Sequence, residues 1–512
     1  MSIQGFAVTA SAVLANRVEV VGNLSGTAPG GPYKIPLRIV YPTGPSPILR
    51  RAVVETWNSV LAETFGLKGA VIFDLGYQLL TMPFLVEQLG YTYVGHEWNK
   101  HLVDAQVASN FSSPHTAQMF FGAQPVPFDA GWKISAGSDG YTIMADVSKF
   151  ARNPLAIDPF ASLPPPPACD KAFGYGFSQT GTHMRGFAAL GKNSAFGAGL
   201  PNGLVYEGIL AANCGAEIRE LVDGGAGYFR YGFHDGATPA SEGPFINLTS
   251  ETDLFLMEAV RARDAAAPAH YAFYEMAGIA HISADVGTFV QAIHNDTPQG
   301  PVHRAMIENL RAKVDAGTAF PPPQTMDGAV TARSAPLFGN TSVWTGLPFW
   351  GGFTANTFIG VPSDDDGNLQ GGIRLPHLRT KLPDGESVGA PLGTYRGVIS
   401  LNESVPGNTA PDAIKSSPVP LGFILGSEIY LMNSGFVSAW EPALLAERYR
   451  DAGEYTTFVA QAADYALAQR WILPADRDAY VAAAAKMTLA NIVDCGTRRQ
   501  VAPPAPPPPA HA

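Results

Sequence analysis

The sequence predicts an α/β protein with a mostly parallel sheet and helices on both of its faces. Three observations predict it. Residues 51–300 alternate strand-like and helix-like segments, the pattern that builds such a sheet. Two apolar runs, 51–57 and 91–95, read as core strands, and the stretch from Leu79 to Leu89 between them is helix-like despite Pro83. The chain of 512 residues is 46% hydrophobic and 15% charged, so it can bury a large core.

The elements divide into four regions. Residues 1–50 form an N-terminal β segment, because Val18–Val21 and Tyr33–Tyr41 alternate in the manner of strands between Gly/Pro turns. Residues 51–300 are the α/β core, with a stiff proline run at Pro164–Pro167. Residues 301–499 are a long extension. It opens with a helix-like stretch from Val302 to Val314, passes through a Gly/Pro-rich part to about residue 420, and ends in three amphipathic stretches at 441–447, 455–471 and 476–492. Such an extension is expected to pack on the core as a lid or wall. Residues 500–512 are a proline-rich tail expected to be disordered.

Composition narrows the function. A net charge of −11 argues against nucleic acid or an anionic membrane surface as partner. No apolar run approaches the roughly 20 residues of a membrane span. The start, Met1–Phe6, lacks the basic and apolar stretches of a signal peptide. Cys169, Cys214 and Cys495 are too few and scattered for a disulfide framework or zinc site, which favours a reduced, cytoplasmic compartment, with a trimmed secreted form as the alternative. No phosphate-binding glycine loop with its lysine and no His/Cys ligand cluster is visible, and His96 and His101, five apart in an expected loop, make no convincing metal pair. No cofactor is expected.

Gly176-Phe177-Ser178-Gln179-Thr180-Gly181 is the most informative stretch. It lies between a strand-like run and a helix-like run, and such a strand–turn–helix context can hold a serine in a strained backbone with its hydroxyl exposed. Thr180 departs from the usual Gly-x-Ser-x-Gly pattern. Downstream come the acidic turn with Glu251 and Asp253, after a strand from Pro244, and then His281, after the strand from Tyr271. Serine, acid, histidine is the chain order of an α/β-hydrolase triad. Ser178 is the candidate nucleophile and His281 the candidate base, with His377 as the rival base. Asp253 is the favoured acid because Ser250 occupies the glycine slot of a strand-then-Gly-x-x-Asp pattern, and Glu251 is the alternative. Gln179 and Asn58 are candidates for the two N–H donors of an oxyanion hole, although Asn58 reads equally as a turn cap. Trp98, Trp344, Phe349, Trp350 and Phe353 are candidate pocket walls. Arg374 either binds a substrate carboxylate or forms a structural ion pair.

Several spaced motifs resemble the bacterial "alpha/beta hydrolase domain" family, presumed esterases. They are Val54-Glu55-Thr56-Trp57-Asn58, Gly90–Gly95, Ser178-Gln179-Thr180, Ser250–Asp253, Glu275–His281 and Gly371–Pro376, within a match spanning about residues 35–495. The resemblance implies a serine hydrolase working through an acyl-enzyme, without fixing its substrate. A roofed, aromatic-lined cleft suits a small or medium hydrophobic ester. An acyltransferase using the same acyl-enzyme is the alternative, and a catalytically silent binding protein is the reading from a different class. The oligomeric state is left open.

Overall fold

A computed structural model describes residues 3–43, 50–61, 71–74, 83–98, 137–154, 163–214, 217–220, 230–233, 238–256, 269–281, 295, 297–327, 334–335, 355–356, 363–397 and 435–498. Up to His281 the described strands are β1 (Ile3–Val13), β2 (Arg17–Ala28), β3 (Gly31–Pro42), β4 (Arg51–Thr56), β5 (Asn58–Leu61), β6 (Val71–Asp74), β7 (Thr92–His96), β8 (Lys171–Phe177), β9 (Gly208–Ala212), β10 (Glu217–Glu220), β11 (Arg230–Phe233), β12 (Phe245–Ser250) and β13 (Tyr271–Met276). Nine of them make one sheet in the order β1-β2-β3-β7-β4-β8-β9-β12-β13. From β7 to β13 every neighbouring pair is parallel. The N-terminal strands β1, β2 and β3 join the same sheet by antiparallel pairing, with β3 set against β7. The fold is that of an α/β hydrolase.

Parallel strands need covered faces, and helices supply the cover. On one face lie α1 (Gly137–Arg152) and α2 (Gln179–Ala189), with the short α3 (Lys192–Phe196) beside them. Met144, Val147, Phe150, Met184 and Phe187 pack there with Val54, Ala172 and Ile209. The short α4 (Glu251–Leu256) follows β12 directly. On the other face lies α5 (Gly300–Ala316), which opens with Pro301 in its first turn and closes on Gly317 in the left-handed conformation. Its Val302, Met306, Ile307 and Leu310 share one cluster with Phe173, Tyr175, Leu210, Ile246 and Tyr274.

The extension is therefore continuous with the core. Beyond α5 come α6 (Pro442–Arg448), α7 (Ala452–Ala468), α8 (Pro474–Ala484) and α9 (Leu489–Arg498). Ala463 and Ala466 of α7, with Trp471 and Ile472 after it, enter the same cluster as α5. The sequence pattern places one helix over 476–492, but the chain forms two. Thr488 breaks the run because its hydroxyl accepts the Asn491 N–H at 3.1 Å and caps a new helix. Of the helix expected over 79–89, residues 83–87 are helical and 79–82 lie outside the described residues, as does the tail from residue 500. Cys169 and Cys214 are buried and unbridged. Among the described residues no helix is long and apolar enough to cross a membrane.

Two buried histidines connect the sheet to its surroundings. His96 closes β7, where a loop was expected; its Nε2 is 3.1 Å from the Thr56 hydroxyl and its Nδ1 3.0 Å from the Glu97 carbonyl. Burial pushes its pKa down to about 4. His303 of α5 meets the Tyr175 hydroxyl through Nδ1 at 2.8 Å, and burial, with the Arg304 charge, pushes its pKa down to about 3. A folded-state pKa below the unfolded value near 6.5 makes the unfolded chain bind protons first as pH falls. The contribution of each histidine is thus full above pH 6.5 and is lost as pH falls towards 4 for His96 and towards 3 for His303, at up to about 1.4 kcal/mol per pH unit. Urea midpoints of the wild type are expected to fall from pH 6.5 to 4.5, and more steeply than those of His303→Gln. Parallel curves for the two proteins would contradict the buried neutral imidazole.

Candidate active site

Ser178 follows β8 directly and precedes α2. Its backbone has φ 54° and ψ −117°, a region where an L-residue is strained by on the order of 1–3 kcal/mol. Several contacts hold it there. The Ser178 N–H donates to the Ala212 carbonyl at 2.9 Å, and the Ser178 carbonyl accepts from the Thr182 N–H at 3.1 Å. The Thr180 hydroxyl accepts the Phe177 N–H at 3.1 Å and donates to the Phe177 carbonyl at 3.0 Å. Thr180 thus does more in its slot than a glycine could, since it ties the turn to the end of the strand. Gly176 is required by space: a Cβ there would lie 2.4 Å from the Thr180 carbonyl oxygen.

The acid and the histidine meet at the ends of β12 and β13. Asp253 Oδ1 is 2.6 Å from His281 Nδ1, with the aspartate fully buried and the histidine 6% exposed. The other carboxylate oxygen accepts from the Ser250 N–H at 3.1 Å and the Ser250 hydroxyl at 2.6 Å. These donors replace the water the carboxylate has lost. The His281 ring stands 5.0 Å from the ring of Phe177, the residue before Ser178.

Glu251 goes elsewhere. The acidic segment is the first turn of α4, not extended chain, so residues 251 and 253 are about 200° apart around the axis. Alternation along a strand would have pointed both the same way; the helix separates them. Glu251 Oε2 accepts the Gly278 N–H at 2.9 Å and Oε1 lies 3.6 Å from Arg396 Nε. Burial pushes its pKa up, while Arg396 and the N–H groups of Gly278 and Gly397 oppose the rise. Gly278, at φ 62°, supplies the turn that brings its N–H to this carboxylate.

The remaining candidates have definite surroundings. Gln179 is the first residue of α2, so its amide N–H is one of those a helix start leaves without an internal partner. The register pairs Thr56 of β4 with Gly176 of β8, and two residues beyond that pair are Asn58 and Ser178. Asn58 opens β5, which pairs with β6. Arg374 is engaged by Asp364 and by the carbonyls of Leu369 and Arg379, a structural ion pair. Its motif extends the sheet edge: the Ile373 N–H donates to the Glu275 carbonyl at 2.7 Å and the Ala277 N–H to the Ile373 carbonyl at 3.0 Å. His377 packs on Tyr395 with ring centres 5.0 Å apart. Trp98 lies in the core with its ring 4.3 Å from that of His183. Trp344, Phe349, Trp350, Phe353 and His101 lie outside the described residues.

Three residues at the site escaped sequence reasoning. The Thr252 hydroxyl accepts the His281 N–H at 2.9 Å. The His281 carbonyl accepts from Asn213 Nδ2 at 3.3 Å and from Gln299 Nε2 at 3.2 Å. The signal for Asn213 was faint: an asparagine just past an apolar strand tolerates the left-handed backbone, and here φ is 46°.

Residues 86–482 match the family described as alpha/beta hydrolase domain, and the chain belongs to it. No curated protein matches. Among solved structures the chain is similar to a brefeldin A esterase, a bacterial homologue of human hormone-sensitive lipase, at 14% identity over 38% of this chain and 40% of that one, TM-score 0.21. It is similar to an α/β serine hydrolase without lid from Xanthomonas campestris at 14% identity over 51% and 85%, TM-score 0.27. A glucuronoyl esterase from Teredinibacter turnerae aligns at 10% identity over 42% and 46%, TM-score 0.24. The chain thus spans less than half the length of the first and third of these proteins.

The two acids are expected to separate by mutation. Asp253→Asn should lower kcat on the order of 10⁴-fold, the scale for losing the carboxylate that orients an imidazole. Glu251→Gln should instead destabilise the fold, by up to about 3 kcal/mol, because Arg396 loses its buried partner. Steady-state kinetics with an aryl ester and urea titration of both variants read this, and the reverse ranking would move the acid to Glu251.

Proposed function

We propose that the protein is a serine hydrolase that cleaves a carboxylic ester of a small or medium hydrophobic substrate through an acyl-enzyme. The observation that carries this reading is the 2.6 Å contact of Asp253 with His281 Nδ1, with the His281 ring 5.0 Å from that of Phe177, the residue before a serine in a strained turn at the C-terminal edge of a parallel sheet. The contact favours the tautomer with the proton on Nδ1, in which Nε2 is the atom that acts as base.

Ser178 Oγ attacks the ester carbonyl carbon while His281 Nε2 takes the hydroxyl proton. Negative charge gathers on the carbonyl oxygen, where the Gln179 N–H and an N–H from the chain at Asn58 stabilise it. The intermediate collapses, and the C–O bond to the alcohol breaks. His281 gives its proton to the departing alkoxide, leaving an ester on Ser178. Water then attacks the acyl carbon, again losing its proton to His281, and the carboxylic acid leaves as Ser178 recovers its proton. Asp253 keeps its charge throughout and offsets the imidazolium charge in each step.

Ser178→Ala is expected to lower aryl-ester hydrolysis on the order of 10⁴–10⁶-fold while the protein stays folded, and to abolish labelling by a fluorophosphonate probe. EDTA should leave the wild-type rate unchanged, since the mechanism uses no metal. Near-normal turnover by the variant, or loss of activity on chelation restored by one divalent metal, would overturn the reading.

A further inference from the structure

The imidazole of His281 is fixed by its ring contact with Asp253 and by its own main chain, and the main-chain contacts come from three separate parts of the fold. The His281 N–H donates to the Thr252 hydroxyl of α4 at 2.9 Å. The His281 carbonyl accepts from Asn213, just past β9, at 3.3 Å and from Gln299, just before α5, at 3.2 Å. The two amides are also bonded to each other, Asn213 Nδ2 to Gln299 Oε1 at 2.6 Å. Both side chains are fully buried. Asn213 adjoins Ala212, whose carbonyl accepts the Ser178 N–H at 2.9 Å, and the Asn213 N–H itself donates to the Leu248 carbonyl of β12 at 2.7 Å. One dipeptide, Ala212-Asn213, therefore holds the backbone of the nucleophile with one residue and the backbone of the base with the next.

From this geometry we infer that Asn213 and Gln299 are positioning residues for the general base: a paired-amide clamp that sets the distance between Ser178 and His281 and makes α5 a requirement for turnover. The inference rests on the serine-hydrolase reading above. Fixing both the N–H and the C=O of a residue fixes its Cα–Cβ direction, and the Asp253 contact then fixes the ring. Without the donors on the carbonyl, the chain at His281 can rotate about its backbone and the imidazole shifts relative to Ser178. The left-handed backbone of Asn213 fits this role, since it is the strained conformation that aims the side chain across to residue 281. Gln299 precedes α5, whose apolar side is anchored in the sheet core, so the clamp has a rigid base.

The test uses the full chain with Gln299→Met, which keeps the length and volume of the side chain and removes both hydrogen-bonding groups. Asn213→Asp serves as the second variant, since it keeps the shape and the tolerance of positive φ but turns the donor into an acceptor, and it carries the test if the first variant fails to fold. Rate and final extent of fluorophosphonate labelling are measured beside kcat and KM. A misplacement of about 1 Å costs on the order of 10²-fold. The expected result is a 10- to 100-fold fall in kcat and in labelling rate, with KM within about twofold of wild type and labelling still reaching one probe per chain. Wild-type rates in both variants, or a change confined to KM, overturns the clamp. A fall in kcat matched by a fall in the final extent of labelling also overturns it, because the loss is then of folded protein. If the wild type itself is not labelled at Ser178, the serine-hydrolase reading fails and the clamp falls with it.

Discussion

A carboxylate buried to zero exposure has to be solvated by the protein itself, and the site is arranged around meeting that need for Asp253. An uncompensated buried charge is costly. Asp253 is compensated on both oxygens, by His281 on one and by the N–H and hydroxyl of Ser250 on the other. The local structure makes this possible. Ser250 ends β12 and Asp253 lies in the first turn of the helix that follows, so their spacing is set by a strand-to-helix junction and not by a free loop. The helix start also favours negative charge. The same turn sends Glu251 in the opposite direction, to Arg396 and Gly278, where it braces the loop that carries His281. Two neighbouring acids thus support one histidine, one at its ring and the other at the chain leading to it.

The region beyond His281 is part of this arrangement. Gln299, at the start of α5, reaches the histidine from the C-terminal side, and the segment around Ile373 continues the sheet edge beside β13 just before the histidine loop begins. Both Gly371 and Gly372 there have positive φ, which lets the chain fold back against Glu275. The extension therefore does more than cover an edge that was already complete. It supplies hydrogen bonds to the strand and loop that lead to His281. A hydrolase core cut after residue 300 would lose the helix whose Val302, Met306, Ile307 and Leu310 fill one face of the sheet.

Much of this was legible in the sequence because it rests on local patterns. The alternation of residues 51–300 gave the parallel sheet, and the order of Ser178, the acids and His281 gave the strand ends on which they stand. The choice between Asp253 and Glu251 was harder, because periodicity says where the strand stops but not that a helix starts at once; the 200° turn between the two side chains follows from that start. The division near residue 487 was hidden because alanines on both sides keep a helical pattern and the interruption is made by one capping threonine. Asn213 and Gln299 lie 86 positions apart and meet only through the tertiary fold, so no spacing could reveal them. Thr180 looked like a departure from the motif and is a working part of the turn, since its hydroxyl bonds both the N–H and the carbonyl of Phe177.

In the proposed mechanism Ser178, His281 and Asp253 act as one unit on an acyl carbon. A crystal structure of the wild-type protein after reaction with a fluorophosphonate tests it most directly. The expected adduct has phosphorus bonded to Ser178 Oγ, a phosphoryl oxygen within hydrogen-bond distance of the Gln179 N–H, and His281 still bonded to Asp253 through Nδ1 with Nε2 facing the adduct. An adduct on another residue, or an imidazole turned away from Ser178 while still bound to Asp253, would contradict it.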